Sequence, residues 1–201
     1  MTIMMIDTSS AQFATVDGTA RNVSDTMDSS QIYELTVNTN TYIKQGTGKL
    51  VTCATQANMT DGDTLTITDK GVAVVYEFDK AGDGVVAGRV QVNISTDTTA
   101  ATVAARLATA IAANQAALQV TDPADGTLII VAPSRIMTIE ENVSHASFTV
   151  GLNAITPSAA DGSTMIASGT TKLLHGGRGP QLGVLQVTAA GVSTLTRVGA
   201  R

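Results

Sequence analysis

Apolar and polar positions alternate with a period of two along most of this chain, and the period becomes helical only once. In Gln31–Val37, Ile32, Glu34 and Thr36 alternate with Tyr33, Leu35 and Val37, the pattern of a half-buried strand. Residues 42–43 and 50–54 follow on either side of Gly46-Thr47-Gly48, which predicts a hairpin. A β-branched alternation over 64–68 turns at Lys70-Gly71 into a second strand over 72–78. A loop then leads to a third short strand over 90–94. From Thr98 to Leu118 the period changes, placing Val103, Leu107, Ile111 and Leu118 on one face of a helix. Asp97 or Thr98 suits its N-cap, and its many alanines keep helix propensity high. Residues 118–121 and 127–131 then read as a hairpin across Asp122-Pro123-Ala124-Asp125-Gly126, and 148–150 as a closing strand. Four more short strands follow at 164–167, 171–174, 182–187 and 193–198, the last two joined as a hairpin across Ala189-Ala190-Gly191.

These elements sort into an interrupted host. Residues 58–157 form an α+β module, one amphipathic helix on an antiparallel sheet, which buries both apolar faces. The segments 31–57 and 158–201 supply six or seven strands between them, a discontinuous β-sandwich or barrel. Residues 1–30 keep no period and read as an extended N-terminal arm, with one short strand near 12–16. The fold class expected is therefore mainly β.

Composition sharpens the picture. Hydrophobic residues make up 43% of the 201, enough for packed cores, but aromatics are 3% and Trp is absent. Such cores gain stability from many small contacts, and association with a partner would add to it. Charge is unevenly spread. Residues 58–157 hold 11 acids against 5 bases, a net of −6, and the rest holds 6 acids against 7 bases. A nearly neutral host suits burial against protein, whereas the acidic module suits solvent. With no basic stripe, nucleic acid is not an expected partner. With no apolar run of membrane length, neither is a bilayer. The apolar start Met1–Ile6 lacks a basic segment and stops at Asp7, so synthesis in the cytoplasm is expected.

Reactive chemistry is sparse. Cys53 is alone, His145 and His175 have no metal-ligand spacing, and no nucleophile motif occurs, so no catalytic residue, metal or cofactor is expected. Asp61-Gly62-Asp63 and Asp79–Gly84 look like fragments of calcium loops but lack the full spacing and the terminal Glu; turn chemistry explains them, and a weak calcium site shared between the two loops is the alternative. Glu140-Glu141 reads as solvated loop charge. The most distinctive segment is Leu174-His175-Gly176-Gly177-Arg178-Gly179-Pro180. It reads as a surface turn, as a glycine-lined loop closely approached by another chain with Arg178 in the contact, or as an anion site.

The stretch DGDTLTITDKGVAVVYEFD at 61–79, followed by TDTTAATVAARLATAIAA at 96–113, resembles a small α+β module of tailed-phage structural proteins and large bacterial surface proteins. NTNTYIKQGTG at 38–48, with AADGSTMIASGTTKLLHGGRGPQLGVLQVTAAGVSTLTRV at 159–198, resembles short virion proteins of tailed phages, of head decoration or cement type. That resemblance implies a multi-copy, non-enzymatic component of the capsid surface. Its partners would be the major capsid protein and its own copies, as a trimer. A tail-associated adaptor or receptor-binding virion protein is the alternative. Met4, Ile6, Phe13, Val16, His175, Arg178 and Pro180 are the candidate capsid or subunit contacts.

Overall fold

The computed structural model describes residues 10–15, 21–23, 31–133, 135–153, 155, 157, 163–175, 178–179, 181–187 and 191–200. In chain order the strands begin with β1 (Ser10–Thr15), β2 (Arg21–Val23), β3 (Gln31–Val37), β4 (Thr41–Thr52), β5 (Thr64–Asp69), β6 (Val72–Asp79) and β7 (Val90–Asn93). The helix α1 (Ala100–Asn114) precedes β8 (Gln119–Thr121), β9 (Thr127–Pro133), β10 (Met137–Asn142) and β11 (Thr149–Leu152). Then come β12 (Thr164–Ile166), β13 (Thr171–His175), β14 (Gln181–Gln186) and β15 (Gly191–Ala200). The protein is mainly β, with antiparallel sheets and, among the described residues, one α-helix. Two compact units divide the chain: 1–47 with 133–136 and 154–201, and 48–132 with 137–153.

The first unit is a two-layered sandwich. One sheet runs β1-β15-β3-β13, each pair antiparallel. In the other layer β14 pairs with β2 and with Thr41–Gly46 of β4, and β12 pairs with Thr41–Ile43 of β4. Tyr33, Leu35, Val37, Leu174 and Leu195 from the first sheet meet Ile43, Ile166, Leu182 and Val184 from the second in one core. Period-two alternation supplies each sheet with its single apolar face.

The second unit contains the sheet β10-β5-β6-β7, the β8–β9 hairpin, and β11 paired to the later part of β4 from Lys49 to Thr52. Lys70 and Gly71 have φ of 53° and 77°, the two left-handed positions of the tight turn joining β5 to β6. Tyr76, Phe78, Leu65, Ile67, Leu128 and Ile130 are fully buried together with Val103, Leu107 and Ile111 of the helix. The helix starts at Thr99, whose hydroxyl accepts the Thr102 N–H in a capping box. Asp97, an expected cap, is instead buried beside Arg106, 3.5 Å from its Nε. The helix stops at Gln115, whose side chain accepts from the Tyr76 hydroxyl at 2.9 Å. Leu118 therefore reaches the core from beyond the helix end.

Several expectations are corrected. No hairpin forms at Gly46-Thr47-Gly48; β4 is one unbroken strand of 12 residues. The division between units falls inside it at Gly48, ten residues before the expected boundary at Asn58, because Val51, Cys53 and Ala54 pack in the module core. β14 and β15 are not a hairpin, since one pairs with β2 and β4 and the other with β1 and β3. Glu140 and Glu141 are not in a loop but in β10, which pairs with β5 and which alternation too weakly marked. The module sheet is antiparallel except at β6–β7, which is parallel. Within the expected arm, β1 and β2 pair with β15 and β14 of the same chain.

Candidate functional site

Two polar clusters were candidates for chemistry, and both turn out to hold loops. The first follows from the parallel β6–β7 pair. A parallel connection must carry the chain back along the strand, and here no helix intervenes between Asp79 and Val90. Glu77 and Asp79, two residues apart on β6 and both buried, organise that return. Glu77 Oε2 accepts from Arg89 Nη1 at 2.8 Å and from the Val86 N–H at 3.3 Å. Asp79 accepts from the N–H groups of Gly82 at 2.6 Å and Gly84 at 3.2 Å, and from Gln91 Nε2 at 2.6 Å. Asp61 Oδ1 accepts from the N–H groups of Lys80 and Ala81, while Lys80 Nζ donates to the carbonyls of Ala57 and Met59.

The two sequence fragments that resembled calcium loops are thus brought together: carboxylate oxygens of Asp61, Asp79 and Asp83 lie within 4.8 Å of one another. Calcium takes six to eight oxygens at roughly 2.3–2.6 Å. Asp79 spends both oxygens, and Asp61 one, on N–H donors of the loop itself. The arrangement is that of a loop clamp.

The Gln91 side chain, opposed by burial and helped by the N–H groups of Gly82, Gly84 and Asp83, holds the Asp79 carboxyl below its ordinary value. A depressed carboxyl contributes stability that is present above its unfolded pKa and is lost as pH falls through its folded pKa. Asp79→Asn is therefore expected to lower the unfolding midpoint at pH 7 and to flatten its decline below about pH 4. Urea titrations of both proteins from pH 7 to pH 2.5 test this; parallel pH profiles would sink it.

The second cluster surrounds the glycine-rich segment. Gln45, buried on β4, donates one amide to two carbonyls, His175 at 2.7 Å and Gly179 at 3.0 Å. Gly179 has φ +119°, and a Cβ there would overlap the Gly46 backbone. The close approach that its glycine permits is made by β4 of the same chain. Gly46, expected to turn the chain, serves this contact instead.

The sequence-derived contact residues fall as follows. Phe13 lies on β1, opposite Ser193. His175 ends β13 opposite Ile32 and is half-buried, and Arg178 is exposed. Met4, Ile6, Val16 and Pro180 lie outside the described residues. His145 belongs to one unit and His175 to the other, and His145 Nδ1 is occupied by the Ser147 hydroxyl at 2.6 Å. Sequence reasoning missed Gln45, Glu77 and Asp79 as organisers; two acids at alternate positions ending an apolar strand were the available signal for the latter pair.

Cys53 is buried, and burial, then the charge of Asp122, pushes its thiol up to about 12. Because thiolate is the nucleophile, Cys53 is expected to resist a thiol reagent at pH 8 in the folded protein. Complete modification in urea and none without it, read by mass, is the expected result; modification of the folded protein at the rate of a free thiol would refute it.

No family model matches the chain, and no curated protein matches it. Among solved structures it is similar to the D1-D2-D3 domains of the flagellar cap protein FliD from Escherichia coli, at 14% identity and TM-score 0.33, over 94% of this chain and 57% of that one. It is also similar to the D2-D3 domains of the same protein, at 14% identity and TM-score 0.30, over 94% and 98%. The chain spans a little over half the length of the first. Likeness at these TM-scores carries neither fold nor role across. Among the described residues, no helix is long and apolar enough to cross a membrane.

Proposed function

We propose that this protein is a non-enzymatic structural component of a tailed-phage virion, a capsid decoration or cement protein. The observation that carries this reading is the match between charge and architecture. The unit of 48–132 with 137–153 holds 11 acids and 5 bases, and the sandwich unit 6 acids and 7 bases. A near-neutral sandwich suits burial against other protein, and an acidic module suits exposure to water. The resemblance of both parts to phage virion proteins supports the same assignment. The sandwich attaches to the major capsid protein with the help of the N-terminal segment, and the module faces outward. Many copies reinforce the shell through summed weak contacts.

The test is the copy number on purified particles, by quantitative mass spectrometry. Hundreds of copies on heads are expected. A dozen or fewer would point to the tail-associated alternative, and absence from particles would overturn both. Removing residues 1–9, which precede β1, is expected to reduce occupancy when the protein is added to particles lacking it. Undiminished binding would remove the N-terminal segment from the attachment.

A further inference from the structure

We propose that copies of this chain join edge to edge, β13 of one copy accepting β1 of the next. This goes beyond the virion reading and does not depend on it.

At both ends of the described sandwich sheet, backbone N–H and C=O groups point away from its strands. The Val37 N–H donates to the Thr170 carbonyl at 3.2 Å, and the Val37 carbonyl accepts from the Gly169 N–H at 2.9 Å. Val37 thus directs its backbone groups toward the β13 side. Groups alternate sides along a strand, so Leu35 and Tyr33 bond Lys172 and Leu174, their register partners. Thr171 and Leu173 then point their N–H and C=O away from β3. His175 follows the same phase, and its carbonyl is the one that Gln45 reaches from outside the sheet. The same count across β15 directs Phe13 and Ala11 toward Ser193 and Leu195, and Ser10, Gln12 and Ala14 outward.

Among the described residues no further strand pairs with either edge, and the two edges match. β13, β3, β15 and β1 alternate in direction, so β1 and β13 run opposite ways. A second copy's β1 beside β13 therefore continues the antiparallel order. The outward groups sit on the same cross-strand rows, Thr171-Thr36-Thr194-Gln12 and Leu173-Glu34-Thr196-Ser10, so the row pattern continues too. The lengths are close, six residues against five.

Edges that stay unpaired are usually blunted by charge, Pro or shortness. The module sheet follows this rule: β10 carries exposed Glu140 and Glu141, and β7 has four residues. The sandwich sheet does not. β1 has no charged residue and no Pro, and β13 leaves Leu173 55% exposed with Lys172 its only fixed charge. A second copy is the occupant that fits, because one repeated contact satisfies both edges, whereas a foreign strand would leave the other open. Such a head-to-tail contact closes into a ring when the rotation allows.

The test uses the full chain and light scattering after size exclusion. Leu173→Pro deletes only the N–H that points off the sheet and keeps the pairing to β3, while Leu173→Thr keeps that N–H. The native protein and Leu173→Thr are expected to be oligomers, and Leu173→Pro a monomer with an unchanged circular dichroism spectrum. Separately, Gln12→Cys and Thr171→Cys proteins, mixed and oxidised, are expected to form a disulfide between chains, because the continued rows set these two positions opposite each other. A native protein that stays monomeric, or Leu173→Pro assembling like the native chain, would overturn the proposal. If Leu173→Pro fails to fold, the cysteine mixture decides: cross-linking supports the edge contact, and its absence rejects it. Failure here leaves the particle copy number untouched, so the two readings are judged separately.

Discussion

Phe78→Ala is expected to destabilise the module by about 3–5 kcal/mol, the usual cost of emptying a buried phenylalanine site. Phe78 is fully buried and meets Phe148 edge-to-face, ring centroids 5.7 Å apart at 72°. The chain has 3 Phe, 3 Tyr and no Trp, and among the described residues this pair and Tyr76 are the large rings of that core. The surrounding Leu65, Ile67 and Val92 are held by strand pairing and cannot collapse fully into the space. Small domains have only about 5–15 kcal/mol in total, so the variant module should approach unfolding. With a urea slope of about 2 kcal/mol/M for a unit of this size, the midpoint falls by about 2 M. The exposure of Cys53 to a thiol reagent along the titration reports this unit in particular, since Cys53 packs in the same core. Phe78→Leu, closer in volume, should cost about 1.5 kcal/mol or less. A midpoint unmoved by Phe78→Ala would mean that the rings do not anchor the core.

The second large effect is expected in the sandwich, at Gly179. A φ of +119° excludes side chains, and a Cβ would overlap the Gly46 backbone, which has no rotamer to yield. Strain alone is worth about 1–3 kcal/mol, and the overlap adds to it, so Gly179→Ala should cost more than about 3 kcal/mol. Two other glycines separate the terms. Gly169 has φ +72° with open space around it, so Gly169→Ala reports strain without overlap. Gly183→Ala reports overlap, because its Cβ would meet the Ile155 carbonyl and Pro157 Cδ. Hydrogen exchange of the β4 and β14 amides, followed by mass spectrometry, reads the stability of this unit. The expected order of destabilisation places Gly179→Ala above both controls. If Gly179→Ala costs no more than Gly169→Ala, the segment is not seated on β4, and the role given to Gln45 fails with it.

These glycines also show where sequence reasoning reached its limit. The segment 174–180 stood out because glycines strip a backbone of side chains, which signals close approach. It did not say what approaches. Gly46 carries an equally local signal, that of a turn. Each is explained only by the other, across more than a hundred residues of intervening chain. The same holds for the acids: Asp61-Gly62-Asp63 and Asp79–Gly84 were recognised as turn-forming fragments, and their convergence on one loop depended on the β5–β6 and β6–β7 pairings. The weak alternation of β10 hid a strand whose identity comes from pairing with β5.

The amino-acid sequence alone determined the mainly β character, the amphipathic helix with its Val103, Leu107 and Ile111 face, and the tight turn at Lys70-Gly71. These depend on periodicity, propensity and allowed φ, all properties of neighbouring residues. The tertiary structure decided which strands pair, that β14 and β15 belong to different sheets, that β4 runs unbroken across the boundary between units, and that, among the described residues, β1 and β13 end their sheet. Those outcomes depend on which faces and backbone groups find partners far along the chain, and local pattern does not carry that information.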